Sequence, residues 1–491
     1  MKQKLIKISF FCVIVIMCGI CLVNVLCFKY SDGILSMENF YKERLGSIDV
    51  ICLGSSHTFC NISTKTLWEE FGIVSYDLAG SSQPFWNSYY FLKEAILYQQ
   101  PKLVILDVYC ATGDREGFNH GCIIKNTFGI SSFCNRLMAI WNSAPKNRLI
   151  HYWLAYPIFH QRYMDISKSD FLRDDNNLLA YSKGFGITMR RNVYVAPQIE
   201  IPTDSKPLSA KTEVYLLKII EFCHEHHIPL LLCVTPYSGD NMQDEEIYAT
   251  VKNIAKANDV PYINFNYHYT QMGLDFSIDA ADTSHLNYKG NAKFSRYLGR
   301  YIKKHYDLPD HRGEAGWESY ENMRQMFQWR IENHEVSETK EISAFLDKLI
   351  EQKERYLLVV GMQGNYQAIV DDPLICAKLE TLGVSIRDAT QKDVWVLDAG
   401  KKVFHAGSKK PFDWHMLLNP GFVRVSCDSG NGLIKCNINR EEETFLPQGL
   451  SIVVYDRMDY HPTIDHIVDR AGFSLKEGKV SLKQSLQTMA T

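Results

Sequence analysis

Residues 8–28 carry no charge and a single side-chain amide, Asn24. A run of that length and polarity predicts a helix able to cross a bilayer, which takes about 20 apolar residues. A cleavable signal peptide is the rival, but its apolar core is usually about 7–15 residues long and ends at a small-residue cleavage site. No such site stands between Asn24 and Tyr30, and the residues before Cys18, Cys21 and Cys27 are the bulky Met17, Ile20 and Leu26, which lipoprotein processing does not normally accept. An uncleaved signal anchor over residues 1–30 is therefore expected. Lys2, Lys4, Lys7 and the amino terminus precede it, against Lys29, Lys42 and Arg44 behind it. This modest bias, together with the general behaviour of short basic N-termini, predicts a single pass of the cell membrane with the bulk of the chain extracytoplasmic.

From Ser47 onward, short β-rich apolar runs alternate with helical stretches. DVICL (49–53), IVSYDL (73–78), KLVILDV (102–108), PLLLCVT (229–235) and VPYINF (260–265) read as buried strands. Helices are expected over 85–98, 211–227, 245–258 and 289–305. This rhythm predicts an α/β domain, about 45–310, with a parallel sheet covered on both faces and functional loops at the carboxyl ends of its strands. Residues 111–209 break the rhythm and are dense in aromatics (Phe118, Phe128, Phe133, Trp141, Tyr152, Trp153, Tyr156, Phe159, Tyr163, Tyr181), which reads as a helical insertion whose rings serve mainly as core. HYDLPDHRGEAG (305–316) marks a boundary. Beyond it, helices over 319–331 and 341–354 precede a β-rich α+β domain, about 335–475, with a frayed tail after Lys476.

Composition changes the picture little. The 491 residues hold 53 Lys+Arg against 56 Asp+Glu, a net charge of -3, which gives no general electrostatic argument for nucleic acid. Of the 14 cysteines, Cys12, Cys18, Cys21 and Cys27 fall in the apolar run. Cys52, Cys110 and Cys233 sit in or beside strand-like runs and read as buried thiols, while Cys427 and Cys436 flank a turn and are candidates for a hairpin disulfide. No cofactor is expected and no metal: CHEHH (223–227) closes a helix, where cationic side chains suit the terminus, and GMQG (361–364) lacks any nucleotide-loop spacing.

The candidate chemistry lies in two segments. LGSSHTFCNI (53–62) places a serine at a strand-to-helix turn, where a hydroxyl is exposed and nearby amides can bind an oxyanion. Gly-Ser-Ser alone is common in turns. ADTSHLNYKG (281–290), just before the last expected helix, adds Asp282 and His285 three residues apart, a spacing that lets a carboxylate orient an imidazole towards a serine. His57, beside Ser56, is read as a neighbour that points away from the hydroxyl.

Over about 47–306 the chain resembles the SGNH (GDSL-like) hydrolases. The resemblance implies a flavodoxin-like three-layer α/β/α sandwich, with Ser56 of GSSH as nucleophile and Ser55 where Asp often stands. It maps the closing Asp-x-x-His block onto Asp282 and His285, and the oxyanion-hole glycine onto Gly80 in DLAGSSQP, with the Ser56 amide as the other donor. The family's Gly-x-Asn-Asp block is absent, since LDVYCATGD (106–114) stands there. The same loss occurs in membrane-tethered relatives that move acetyl groups on envelope polysaccharides. An acyl-serine esterase or O-acyltransferase acting on a cell-envelope or extracellular glycan is therefore implied, against the alternatives of a catalytically decayed glycan-binding or assembly protein and of a thioesterase or lipase. Residues 341–473, through RYLLVVGMQGNY and GLSIVVYD, are similar to interleukin-like EMT inducer (ILEI) domains, although the usual Asp-Thr ending is missing and the element order differs. That resemblance suits either a carbohydrate-docking module or a structural domain.

Overall fold

The computed structural model describes residues 2–27, 31–113, 119–166, 170, 182–339, 341–386, 392–407, 411–418, 421–428, 432–438, 441–445, 449–457, 467–476 and 479–484. The chain divides into two compact units, Met1–Gln325 and Met326–Thr491.

In the first unit β1 (Val50–Gly54), β2 (Ser75–Ala79), β3 (Leu103–Asp107), β4 (Leu230–Val234) and β5 (Tyr262–Asn264) form a parallel sheet in the order β2-β1-β3-β4-β5. This is the flavodoxin-like order. Side chains alternate between two cores. Ile51, Leu53, Val104, Leu106 and Leu232 join the core that includes the helices Phe85–Ala95 and Ala210–Glu225, whereas Val50, Cys52, Ile105 and Leu231 join the one shared with Tyr288–His305. Strands buried on both faces need apolar residues at every position, which is why they read as unbroken apolar runs. The order reverses between β1 and β3, so a crevice is expected outside the carboxyl ends of those two strands.

The insertion follows β3. Its first half is helical as expected, with helices His120–Lys125, Phe133–Ser143, Leu149–Leu154 and Tyr156–Phe159. From 185 to 209, however, there is no helix. Pro197, Pro202 and Pro207 among β-branched residues disfavour one, and the segment spends hydrogen bonds elsewhere. The Gly186 amide donates to Phe59, the Asn192 amide to Ala280 and the Tyr194 amide to Phe276. The insertion's aromatics are divided as well: Tyr152 and Phe159 are buried, while Phe133, Trp141, Trp153 and Tyr163 are exposed, and Phe118 and Tyr181 lie outside the described residues.

At the N-terminus Lys2–Leu26 is a single helix of 25 residues, apolar and long enough from Ile6 to Leu26 to cross a membrane.

The second unit holds a six-stranded antiparallel sheet and a four-stranded one, with helix Ile342–Glu351 and helix Pro373–Leu382 on one face of the larger sheet. VWVLDAGKKVFHAG forms two strands, Lys392–Asp398 and Lys401–Gly407, joined by a turn at Ala399 and Gly400. The tail does not fray at Lys476, since Lys479–Gln484 pairs with Ile467–Lys476. Cys427 lies opposite Phe412 and Cys436 opposite Val425, so the register does not bring these two cysteines together and the expected hairpin disulfide is not formed.

Candidate active site

Gly54 ends β1 with φ +150°, and an added Cβ there would lie 2.2 Å from Thr58 Oγ1 and 3.0 Å from the Asp107 Cβ. Only glycine lets the chain turn this sharply beneath β3. Ser55 caps the helix Ser56–Asn61 with extended backbone and accepts the His57 amide. Ser56 is thereby held in the first helical position at the end of β1, half-buried.

The second segment folds into a tight loop. The Ser284 and His285 amides both donate to Asp282 Oδ1, at 2.8 and 3.0 Å, so the carboxylate organises its own turn. His285 Nδ1 lies 2.9 Å from both Asp282 oxygens, and Nε2 lies 2.8 Å from Ser56 Oγ. Two segments more than 220 residues apart in the chain thus meet in one line of hydrogen bonds: carboxylate, imidazole, hydroxyl. Burial opposes the charge on Asp282, but the hydrogen bonds from His285 and the two amides outweigh it and lower its pKa to about 2.

Gly80, the remaining residue singled out in the sequence, follows β2. A Cβ there would come 2.1 Å from Asn126 Oδ1. The loop is fixed from two sides, because Asn126 Nδ2 donates to the Ser81 carbonyl and the Ser81 amide donates to Asp32 Oδ2 at 2.8 Å.

Several supporting residues carry no local signal in the sequence. Asn61 is buried and joins three loops: its Oδ1 accepts the Leu286 amide, and its Nδ2 donates to Thr235 Oγ1 and the Pro236 carbonyl. Beyond β4, the Gly239 amide and the Ser238 hydroxyl both donate to the Thr283 carbonyl, inside the Asp282–His285 turn. His57 is fully buried and stacks on Tyr109 with ring centroids 3.4 Å apart, edge-on to Tyr237 and 5.4 Å from the His285 ring. Tyr109 belongs to the segment where the Gly-x-Asn-Asp block would stand, so packing of rings behind His285 occupies that place.

Asp107, at the end of β3, is buried. Burial raises its pKa to about 7 despite hydrogen bonds from the Tyr109 amide and Thr235. An unfolded aspartate titrates near 3.9. Between about pH 4 and 7 the folded chain therefore holds a proton on Asp107 that the unfolded chain has released, and the contribution of Asp107 to stability falls as the pH rises through that window. Asp107→Asn keeps an acceptor for the Tyr109 amide. In denaturant titrations across this range it is expected to reduce the decline by up to about one proton per molecule; an unchanged slope would mean that Asp107 is ionised in the fold.

No family model and no curated protein sequence matches the chain. Among solved structures, an inferred acylhydrolase from Bacteroides fragilis is 11% identical with a TM-score of 0.28, covering 55% of this chain and 94% of its own. A GDSL-like lipase from Bacteroides thetaiotaomicron is 12% identical at a TM-score of 0.27, covering 52% of this chain and 88% of its own. A protein of the G-D-S-L family from Desulfitobacterium hafniense is 13% identical at 0.27, covering 52% and 99%. At these scores the likeness bears on neither substrate nor chemistry.

Proposed function

We propose that the first unit is a serine acyl esterase or O-acyltransferase, held at the cell membrane by its N-terminal helix and acting outside the cytoplasm on an acylated glycan. The observation that carries this reading is the 2.8 Å contact of Ser56 Oγ with an imidazole whose other nitrogen faces a carboxylate. His285 takes the Ser56 proton as Oγ attacks the ester carbonyl, while Asp282 holds the tautomer and stabilises the imidazolium. The amides of Ser56 and Gly80 receive the developing oxyanion. The tetrahedral intermediate collapses to acyl-Ser56 as the leaving alkoxide takes the proton back from His285. Water then regenerates the serine in an esterase, and a glycan hydroxyl does so in a transferase. The ILEI-like second unit suits the docking of that glycan.

The test is to incubate the full chain with acetylated polysaccharide, quench in acid and weigh the protein. An adduct of one acetyl group on the Ser56 peptide, with acetate released or a new acetylated glycan formed, supports the reading. Glycan binding without adduct or turnover would instead identify a binding protein on a hydrolase-like scaffold.

A further inference from the structure

We propose that the insertion's helical half is a second membrane contact: the face bearing Trp141, Ile150, Trp153 and Leu154 lies in the headgroup region of the bilayer beside the N-terminal helix. This rests on reading that helix as a membrane anchor. The helix leaves the bilayer against the insertion. Val23, Leu26 and Cys27 pack with Ile140, Leu149 and Phe159. Arg162 donates to the Leu26 and Cys27 carbonyls at 2.7 and 3.2 Å, satisfying acceptors that a helix C-terminus leaves open. The point where the membrane ends is thereby fixed to the insertion within one compact unit.

The insertion's outward residues at that point are those of an interface. Helix Leu149–Leu154 is apolar nearly all round: Leu149 and Tyr152 face inward, while Ile150, Trp153 and Leu154 remain 54%, 36% and 59% exposed. Trp141 stacks on Trp153 with centroids 6.1 Å apart. Between 133 and 170 the charges are Arg136, Lys146, Arg148, Arg162 and Lys168 against Asp165 and Asp170. Arg162 is paired with the buried Asp170 at 2.9 Å, which leaves Arg136, Lys146 and Arg148 as the cations beside this face. Aromatic rings at headgroup depth with cations alongside match an anionic bilayer surface better than water. Asp32, just past the anchor, accepts the Ser81 amide and pairs with Lys125, so the loop bearing Gly80 is one hydrogen bond from the membrane exit. Such a dock would present the candidate active site to acyl donors embedded in the membrane or to glycans held at its surface.

Tryptophan emission reads this directly, since none of the eight tryptophans lies in the N-terminal helix. The full chain is reconstituted into vesicles of phosphatidylglycerol and phosphatidylcholine brominated on the acyl chains, then floated on a density gradient. Floating protein that loses about a quarter of its emission, the share of two tryptophans in eight, with the loss absent in Trp141→Phe/Trp153→Phe and reduced in Ile150→Ser/Leu154→Ser, supports the dock. Floating protein with unquenched emission, or with equal quenching in the double phenylalanine variant, overturns the dock and leaves the anchor standing. Protein that does not float overturns both.

Discussion

Replacing Ser56 by alanine is expected to lower kcat for a chromogenic acetyl ester by about 10⁴- to 10⁶-fold, the range in which nucleophile and base act as one unit. The change removes the atom that would form the acyl bond and leaves the amides and the imidazole where they are. Because Ser56 Oγ contacts only His285 among the described hydrogen bonds, unfolding should shift by no more than about 0.5 kcal/mol. His285→Ala should cost as much as Ser56→Ala, and the double variant little more, since the second loss has no remaining partner to affect. Additive losses would mean that the two side chains do not share a step. Steady-state kinetics of the three variants, with circular dichroism to verify folding, make this comparison.

Gly80→Ala carries the second largest effect. Its Cβ would need the space of Asn126 Oδ1, 2.1 Å away, and Asn126 is buried with its amide held on the Ser81 carbonyl. The loop after β2 must shift, and with it the Gly80 amide. Loss of one oxyanion donor costs about 10²- to 10³-fold in kcat, so a fall of that size with KM nearly unchanged is expected. The effect separates from simple destabilisation in Gly80→Ala/Asn126→Gly, where the obstructing side chain is gone and part of kcat should return. An unaffected kcat in Gly80→Ala would remove Gly80 from the site.

The sheet and its covering helices were legible because burial on both faces imposes apolar residues at every strand position, as in VICLG and LVILD, and an apolar face on each helix. Ser56, Asp282 and His285 were legible because each sits at an element boundary within a short motif. What surrounds them was not. Asn61 looks like any polar residue at a helix end, yet it fixes three loops through contacts that span 225 residues to Leu286 and 174 to Thr235. His57 read as a bystander, and its stacking on Tyr109 depends on the two strands preceding them being neighbours in the sheet. The prolines between 197 and 207 disfavour a helix locally. The extended course of the stretch before them is held by distant partners at Phe59, Ala280 and Phe276, which accept the Gly186, Asn192 and Tyr194 amides and which no local pattern encodes. In the second unit the strand Lys401–Gly407 carries no clear sequence signal, because exposed Lys401, Lys402, Val403 and His405 alternate irregularly with half-buried Phe404 and Ala406 and the apolar density of a central strand is missing.

The central claim is that Ser56 is a nucleophile activated by His285. The most direct measurement is covalent capture of the full-length protein by a fluorophosphonate, with the modified residue located by peptide mass spectrometry. A single adduct on Ser56, formed far more slowly in His285→Ala and absent in Ser56→Ala, is the predicted result. An unlabelled wild-type protein, or equal labelling in Ser56→Ala, would contradict it.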